Sequence, residues 1–211
     1  MVEAVVFDAD GLLLDTEGCW ELAESELFRR YGREYGLEEK RQVLGTGIVE
    51  SARIFERLLA RPGRGDELFA ELLALVERRL LEETVAFDGA EELVRELKER
   101  GIPVGVASNT PARMVRGALA CAGLLDALDA VVAADEVAEP KPAPDVYLRA
   151  CELLGAEPSR SVALEDSPTG VAAARAAGMR VVGIPSYPGI ELDADVVAGS
   201  LRDPAVRAAL E

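Results

Sequence analysis

Two carboxylates, Asp8 and Asp10, come directly after the apolar run Val5–Phe7. Such a short, β-branched run predicts a buried strand, and open α/β sheets bind ligands at the carboxyl ends of their strands. Because side chains two residues apart in an extended chain point the same way, both carboxylates can face one site. Their like charges require a cation or a shared proton, which indicates a Mg²⁺ site or a proton-sharing pair. An ordinary strand-end turn before Gly11 is the alternative interpretation.

Ser108 and Asn109 follow a second apolar run, residues 102–107, and precede Thr110 and Pro111 at the start of a predicted helix. Backbone N–H groups at a helix start can hold a phosphate, although the same pattern also serves as a plain helix cap. This segment is therefore a candidate phosphate-binding site with a structural alternative.

Lys141, Glu165 and Asp166 complete the set of residues that could carry chemistry. Lys141 lies between two prolines, and their stiff backbone fixes a side chain that is usually mobile. Glu165 and Asp166 follow the apolar run 161–164 and supply a second acidic pair at the same sheet edge. The chain contains no histidine, so catalysis must rest on carboxylates, hydroxyls, lysine or arginine.

Short apolar runs that predict strands alternate with helical apolar patterns, which is typical of a parallel α/β sheet. The predicted strands cover residues 3–7, 102–107, 130–134, 161–164 and 181–184. Between residues 16 and 81 every apolar stripe is helical, as in Trp20, Ala23, Leu27 and Tyr31. We therefore predict a Rossmann-like catalytic core, residues 1–15 and 82–211, interrupted by an inserted all-helical cap, residues 16–81.

Composition narrows the classes of partner. The 211 residues are 49% hydrophobic, which allows a sizeable core, and the longest apolar runs are far shorter than a membrane span. A net charge of −16 opposes a phosphate backbone or an anionic lipid surface, so neither nucleic acid nor a membrane is an expected partner. The sequence opens without a secretory leader, so we expect a cytoplasmic location. We also expect a monomer, with Cys19, Cys121 and Cys151 as reduced core thiols.

The polar sets, in this order and each after a predicted strand, resemble the four motifs of the haloacid dehalogenase (HAD) superfamily of phosphotransferases. The stretches are FDADGLLLDTE, ASNTP, KPAPDVY and LEDSPTGVAAARAAGM. They look like the subfamily of sugar-phosphate phosphatases and β-phosphoglucomutases, in which a helical cap follows the first motif, where residues 16–81 lie. The resemblance covers essentially the whole chain. It implies a Mg²⁺-dependent phosphatase that hydrolyses a small phosphate monoester, such as a sugar or polyol phosphate, through an aspartyl phosphate.

The resemblance also implies roles in phosphoryl transfer. Asp8 would be the nucleophile, and Asp10 the general acid and base. Ser108 and the Asn109 backbone amide would bind the transferring oxygens, while Lys141 bridges Asp8 and the phosphate. A carboxylate that attacks a dianionic phosphoryl group needs such compensation by cations.

By the same resemblance, Mg²⁺ would be held by the Asp8 carboxylate, the Asp10 backbone carbonyl and Asp166. Glu165 would be either a further ligand or a supporting group behind the ligands. Hard oxygen ligands of this kind suit Mg²⁺.

Three classes of function stay open on the sequence: a phosphatase, a phosphomutase, and a non-catalytic binding protein on the same fold. Asp10 disfavours C–halogen and C–P cleavage, because dehalogenases and phosphonatases of the superfamily typically lack that acid. The mutases carry a histidine early in the cap and an arginine in a cap loop, and the approximately aligned residues here are Trp20 and Ile48. This departure favours hydrolysis, and the intact set of site residues argues against a binding protein.

Glu17, Trp20 and Thr46 are the candidates for substrate contacts in the cap. For Trp20, plain packing within the cap is an equal alternative because it lies on an apolar stripe. Thr46 belongs to the segment 45–47, which we predict to be a cap loop facing the active site. Asp15 and Thr16, at the crossing from core to cap, are expected to be hinge and helix-capping residues.

Overall fold

The structure is a computed structural model and describes residues 2–43, 46, 48–187 and 189–211, without the side chain of Ile48. The strands are β1 (Val5–Phe7), β2 (Leu14–Asp15), β3 (Val85–Ala86), β4 (Val104–Ser108), β5 (Ala130–Ala133), β6 (Val162–Glu165), β7 (Arg180–Gly183) and β8 (Val196–Val197). The helices are α1 (Glu17–Arg30), α2 (Leu37–Val43), α3 (Ile48–Leu58), α4 (Gly65–Glu83), α5 (Ala90–Glu99), α6 (Ala112–Cys121), α7 (Asp145–Leu154), α8 (Pro168–Ala176) and α9 (Pro204–Ala209).

Six strands form one parallel sheet in the order β5-β4-β1-β6-β7-β8. The register sets Val5 of β1 opposite Val104 of β4 and Val162 of β6. Strands β4 and β5 lie on one side of β1, and the later strands β6, β7 and β8 lie on the other side. The strand order therefore reverses at β1. Ligands bind at the carboxyl ends of the strands at such a switch point, and this order confirms the predicted Rossmann-like sheet.

Helices cover both faces of the sheet because β1 sends alternate side chains to opposite sides. Val5 and Phe7 lie in one apolar cluster with residues of α5 and α6. Val6 lies in a second cluster with residues of α7 and α8. All three side chains are fully buried, so the central strand that leads to Asp8 is fixed from both faces.

The four helices α1–α4 lie between β2 and β3, which pair antiparallel with Leu14 opposite Ala86. Leu27 of α1, Phe55 of α3 and Leu72 of α4 share a buried apolar cluster that continues into the sheet. The predicted helical character of residues 16–81 is confirmed for the residues that the structure describes. Helix α4 runs past residue 81 to Glu83, and the division into domains at 15/16 and 81/82 stays a prediction.

The three cysteines are free, as predicted, but they do not share one environment. Cys19 and Cys151 are buried, whereas Cys121 is exposed at the end of α6. The prediction of a core thiol is therefore wrong for Cys121. Across the described part of the chain, none of the helices combines the length and apolar character that a membrane span requires.

Candidate active site

Asp8 and Lys141 form a buried ion pair at the end of β1. The Asp8 backbone N–H donates to the Leu164 carbonyl at 2.9 Å, which extends the sheet register into the site. The Lys141 ammonium lies 2.5 Å from Asp8 Oδ1 and 2.6 Å from Glu165 Oε1. Burial opposes the charge on Lys141, but the two carboxylates outweigh it and raise the pKa of the ammonium. The sequence-predicted lysine therefore reaches the predicted nucleophile as a cation.

The Asn109 side chain holds the backbone that carries Lys141. Its amide Nδ2 donates to the Lys141 carbonyl at 3.1 Å, and its Oδ1 accepts from the Lys141 N–H at 2.9 Å. This reciprocal pair ties the segment after β4 to the segment before α7. Sequence reasoning assigned only the Asn109 backbone to the site and missed this positioning contact.

Glu165 is fully buried, and both of its carboxylate oxygens already accept hydrogen bonds. Oε1 accepts from the Tyr147 hydroxyl at 2.6 Å as well as from Lys141. Oε2 accepts from the Asp166 N–H at 3.1 Å and from Ser167 Oγ at 3.3 Å. These contacts favour Glu165 as a supporting group behind the metal ligands. Sequence reasoning assigned no role in the site to Tyr147.

Glycine at position 170 makes room for this carboxylate. A Cβ at Gly170 would lie 1.8 Å from Glu165 Oε1, which is far inside contact distance. Gly170 lies in the first turn of α8, and its N–H donates to Ser167 Oγ at the helix N-cap at 3.2 Å. The small residue in the alanine-rich helix therefore permits the close approach of helix and strand.

Asp8, Glu165 and Asp166 form a buried carboxylate cluster whose ligand atoms all lie within 4.8 Å of one another. Burial raises the pKa of Asp8 well above its usual range; Lys141 opposes the shift, and the Glu165 and Asp166 charges add to it. Burial, followed by the Glu165 charge, raises the pKa of Asp166 to about 7. A hard divalent cation would relieve this crowding, and an all-oxygen donor set fits one.

The Asp10 carboxylate lies apart from that cluster and is held by hydroxyl groups. Oδ1 accepts from Thr16 at 2.8 Å, and the Trp20 indole N–H lies 3.5 Å from it. Oδ2 accepts from Thr110 at 2.8 Å. The two aspartates thus have different hydrogen-bond partners, although the Asp10 charge still adds to the raised pKa of Asp8. The Asp10 backbone carbonyl as a metal ligand stays a prediction.

Thr16 and Ser108 have roles that differ from their expected ones. Thr16 stands at the N-cap of α1, but its side chain makes no cap hydrogen bond and donates to Asp10 instead, so the predicted capping role is wrong. Ser108 is fully buried; its Oγ accepts from the Thr110 N–H at 2.9 Å and lies 3.4 Å from Asp10 Oδ2. Ser108 therefore supports Asp10, and its contact with phosphate stays a prediction.

A cavity of about 280 Å³ separates the sheet edge from the helices of the 16–81 segment. We call its two sides the core wall and the cap wall. The core wall comprises Asp8, Asp10, Asn109, Lys141 and Asp166. The cap wall comprises Glu17, Trp20, Glu24, Tyr35, Lys40, Thr46 and Ser51, together with Tyr187, which the loop after β7 contributes.

The structure brings all three predicted cap contacts to this cavity. Glu17 forms an ion pair with Lys40 at 2.6 Å. Trp20 reaches Asp10 and also packs against the apolar cluster, so the packing interpretation holds and its contact with substrate stays a prediction. The Thr46 hydroxyl lies 2.7 Å from Ser51 Oγ. Gly45 and Gly47 of the same predicted loop lie outside the described residues.

Sequence reasoning missed Glu24 and Tyr35 on the cap wall. Glu24 follows Trp20 by four residues and precedes Phe28 by four, so helical spacing places it on the apolar stripe of α1. That spacing is the signal that could have found it.

Fold and site together define a Rossmann-like α/β enzyme with an acidic, lysine-bearing cleft under helices. The family model of the haloacid dehalogenase-like hydrolases matches residues 2–178, and the chain belongs to this family. The predicted superfamily is confirmed by this match.

Individual relatives agree with the predicted subfamily. The chain is 34% identical over 206 residues to validoxylamine A 7'-phosphate phosphatase of Streptomyces hygroscopicus subsp. limoneus, covering 96% of each protein. It is 33% identical over 191 residues to hexitol phosphatase B of Escherichia coli (strain K12), covering 87% of this chain and 83% of that protein. The crystal structure of CbbY from Rhodobacter sphaeroides in complex with phosphate is similar with a TM-score of 0.83, at 31% identity over 95% of both chains. These relatives confirm the sugar-phosphatase-like subfamily and the α/β fold with a helical cap.

Proposed function

We propose that this phosphoric monoester hydrolase acts on a small sugar or polyol phosphate, depends on Mg²⁺ and works through an aspartyl phosphate on Asp8. The observation that carries the proposal is the buried contact of Lys141 with Asp8, at 2.5 Å, on the floor of a cavity wide enough for a small ester. The relatives named for hydrolysis of validoxylamine A 7'-phosphate and of hexitol phosphates support this substrate class.

Asp8 acts as the nucleophile. Its carboxylate oxygen forms a bond to phosphorus as the bond from phosphorus to the ester oxygen breaks, and Lys141 offsets the negative charge that the two anions bring together. Asp8, Asp166 and the Asp10 carbonyl would hold Mg²⁺, which supplies further charge neutralisation at the phosphoryl oxygens when bound. Glu165 fixes Lys141 from behind through their 2.6 Å contact.

Asp10 acts as the acid and then as the base. It gives a proton to the departing ester oxygen, and in the second step it takes a proton from the water that attacks phosphorus and releases Asp8. The hydroxyls of Thr16 and Thr110 hold this carboxylate on both oxygens. Such orientation matters because proton transfer requires hydrogen-bond distance to the reacting oxygen.

Hydrolysis is favoured over mutase chemistry by the charges of the cap wall. A mutase must bind a second phosphate group, and phosphate-binding sites are built from cationic side chains. Among the described residues that line the cavity, Lys40 is the cap's only cation, and it already pairs with Glu17 and Glu21 at 2.6 Å each. Arg53 is exposed and pairs with Glu50.

Phosphate release from p-nitrophenyl phosphate, with Mg²⁺ and with a chelator, tests the proposal. We expect metal-dependent turnover and a labelled phosphoenzyme in acid-quenched samples. A hexose 1-phosphate with its bisphosphate activator separates the alternatives, because a mutase returns isomerised sugar phosphate and a phosphatase returns free phosphate. Absence of both phosphate release and isomerised sugar phosphate would leave only the binding-protein alternative.

A further inference from the structure

Glu24 is a buried carboxylate on the cap wall that the proposed chemistry does not use. Its side chain projects from α1 into the cavity, and the residue is only 8% exposed. Within the described residues, no lysine or arginine forms an ion pair with it. A buried carboxylate without such a partner is costly unless hydrogen-bond donors reach it.

The Tyr35 hydroxyl is the matching donor. It is buried and meets no partner of hydrogen-bond geometry in the described part of the chain, although it lies near the Glu24 carboxylate. The ring packs on Phe28 with its centroid 4.9 Å from the Phe28 centroid, which holds the hydroxyl in place. Native proteins leave few buried polar atoms unpaired, so each such atom requires an explanation.

One ligand group satisfies both residues. A ligand hydroxyl can donate to the Glu24 carboxylate and accept from the Tyr35 hydroxyl, which lies close enough to Glu24 to lower the pKa of that carboxyl. Burial raises the pKa of Glu24 to about 7, with Tyr35 opposing the shift. A carboxyl near that pKa can accept from a hydroxyl when ionised and also donate to one when protonated.

The charge of the cap wall excludes a second anion. Among the described residues, Glu17, Glu21 and Glu24 face a single cation, Lys40, whose ammonium lies 2.6 Å from Glu17 and 2.6 Å from Glu21. The same ammonium lies 5.3 Å from the centre of the Tyr187 ring, across the cleft. A phosphate or carboxylate on the leaving group would meet net negative charge here.

We propose that Glu24, together with Tyr35, is the specificity determinant of the cap and selects a polyhydroxylated leaving group without a second anionic group by binding its hydroxyls. The inference rests on the proposed function and narrows it from sugar or polyol phosphates in general to monophosphates whose remainder carries no second anion. It excludes bisphosphates as preferred substrates.

The experiment compares kcat/KM for glucitol 6-phosphate with kcat/KM for p-nitrophenyl phosphate, which has no hydroxyl to bind. The variants are Glu24→Ala, Glu24→Gln and Tyr35→Phe. Glu26→Gln is the matched control, because Glu26 lies on the same helix and pairs with Arg29 and Arg30 at the surface. Circular dichroism checks that each variant folds.

We expect the ratio of the two kcat/KM values to fall about 10- to 100-fold in Glu24→Ala, mainly through KM of the polyol ester. Glu24→Gln keeps one acceptor and should fall less, and Glu26→Gln should leave the ratio unchanged. An equal loss for both esters in every folded Glu24 and Tyr35 variant, or no change in the ratio, would show a structural role and overturn the inference. Should Glu24→Ala fail to fold, Glu24→Gln and Tyr35→Phe decide the question.

Wild-type preferences separate this inference from the proposed function. Turnover of p-nitrophenyl phosphate with a preference for fructose 1,6-bisphosphate over glucitol 6-phosphate would overturn the inference and leave the phosphatase proposal standing. Failure to release phosphate from any of the three esters with Mg²⁺ would refute the proposed function, and the inference with it.

Discussion

The core wall and the cap wall of the same cavity differ in whether their buried polar groups have partners within the chain. On the core wall, Asp8, Lys141 and Asp10 all have partners within hydrogen-bond distance in the chain itself. On the cap wall, the Glu24 carboxylate has no ion-pair partner and the Tyr35 hydroxyl has no hydrogen bond, within the residues described. Apart from the cation that its carboxylate cluster would hold, the core wall is paired within the chain, whereas the cap wall is not.

This difference separates catalysis from selection. Dipoles and charges that are already fixed cost no reorganisation when charge develops in the transition state, so they suit a chemical step common to all substrates. Unpaired buried groups gain their hydrogen bonds only when the right ligand arrives, so they suit discrimination between substrates. The walls should therefore respond differently to mutation: the core wall through kcat, and the cap wall through KM and substrate choice.

The largest effect is expected for Asp8→Asn on the core wall. The substitution keeps the shape of the side chain but removes the attacking charge, so no phosphoenzyme can form and turnover should fall to background for every ester. Phosphate release and acid-stable labelling of the protein measure this directly. Near-normal turnover in a folded Asp8→Asn protein would end the assignment of the nucleophile.

Asp10→Asn should cost less, and its cost should depend on the leaving group. It removes only proton transfer, which is worth roughly 10²- to 10⁴-fold. p-Nitrophenolate departs without a proton and an alkoxide does not, so phosphorylation of Asp8 by the aryl ester should survive better than phosphorylation by glucitol 6-phosphate. Single-turnover burst measurements with both esters test this. Equal slowing of the phosphorylation step for the two esters would contradict the acid role.

Lys141→Met tests whether the core wall depends on its buried cation for stability as well as for chemistry. Removing one member of a buried ion pair leaves uncompensated charge on Asp8 and Glu165 and should lower the free energy of unfolding by about 3–5 kcal/mol at pH 7. Lys98→Met is the control, because the Lys98–Asp129 pair is exposed and should contribute only about 0–1 kcal/mol. Urea unfolding measures the free energy of unfolding of both variants. Equal losses in the two variants would show that the buried Lys141 pair stabilises the fold no more than the exposed Lys98 pair.

The core wall was the more predictable of the two from sequence. Asp8, Glu165 and Asp166 each follow an apolar strand, and parallel strands bring their carboxyl ends to one edge, so their meeting follows from strand periodicity alone. Lys141 was found because its flanking prolines stand out. No comparable rule gives the direction of a side chain after a strand has ended, and the separate partners of Asp10 were not foreseen.

The cap wall was less predictable because its contacts join segments that no periodicity relates. Tyr35 lies in the connection between α1 and α2, and Tyr187 comes from a loop far along the chain. The strands β2 and β3 were missed for a different reason, since each is only two residues long and shows no alternation. Glu24 did have a detectable signal, because its spacing from Trp20 and Phe28 places it on an apolar helix stripe.

The smallest effect, and a direct probe of the cap wall, is the pH dependence of stability in wild type and Glu24→Gln. The Glu24 carboxyl has a pKa of about 7 in the folded protein against an ordinary value of 4.5, because it is buried. Both states are protonated below the ordinary value, so the folded protein carries no penalty there. Between the two values the folded state holds more protons, and the free energy of unfolding must fall as pH rises, by up to about 3 kcal/mol once both states are ionised.

Urea unfolding at pH 5, 6, 7 and 8 should therefore show wild type losing stability relative to Glu24→Gln as pH rises, with the gap levelling above pH 7. The groups that face Glu24 are Glu17 and Glu21 on its own helix, Lys40 on α2, and Tyr35; all remain in the variant, so the difference isolates one carboxyl. Glu26 forms solvent-exposed salt bridges with Arg29 and Arg30. The free energy of unfolding of Glu26→Gln should therefore change with pH in the same way as that of wild type over this range. A flat difference between wild type and Glu24→Gln would mean that Glu24 already has its donors in the free protein, because a satisfied carboxylate ionises near its ordinary pKa, and the contrast between the two walls would then be lost.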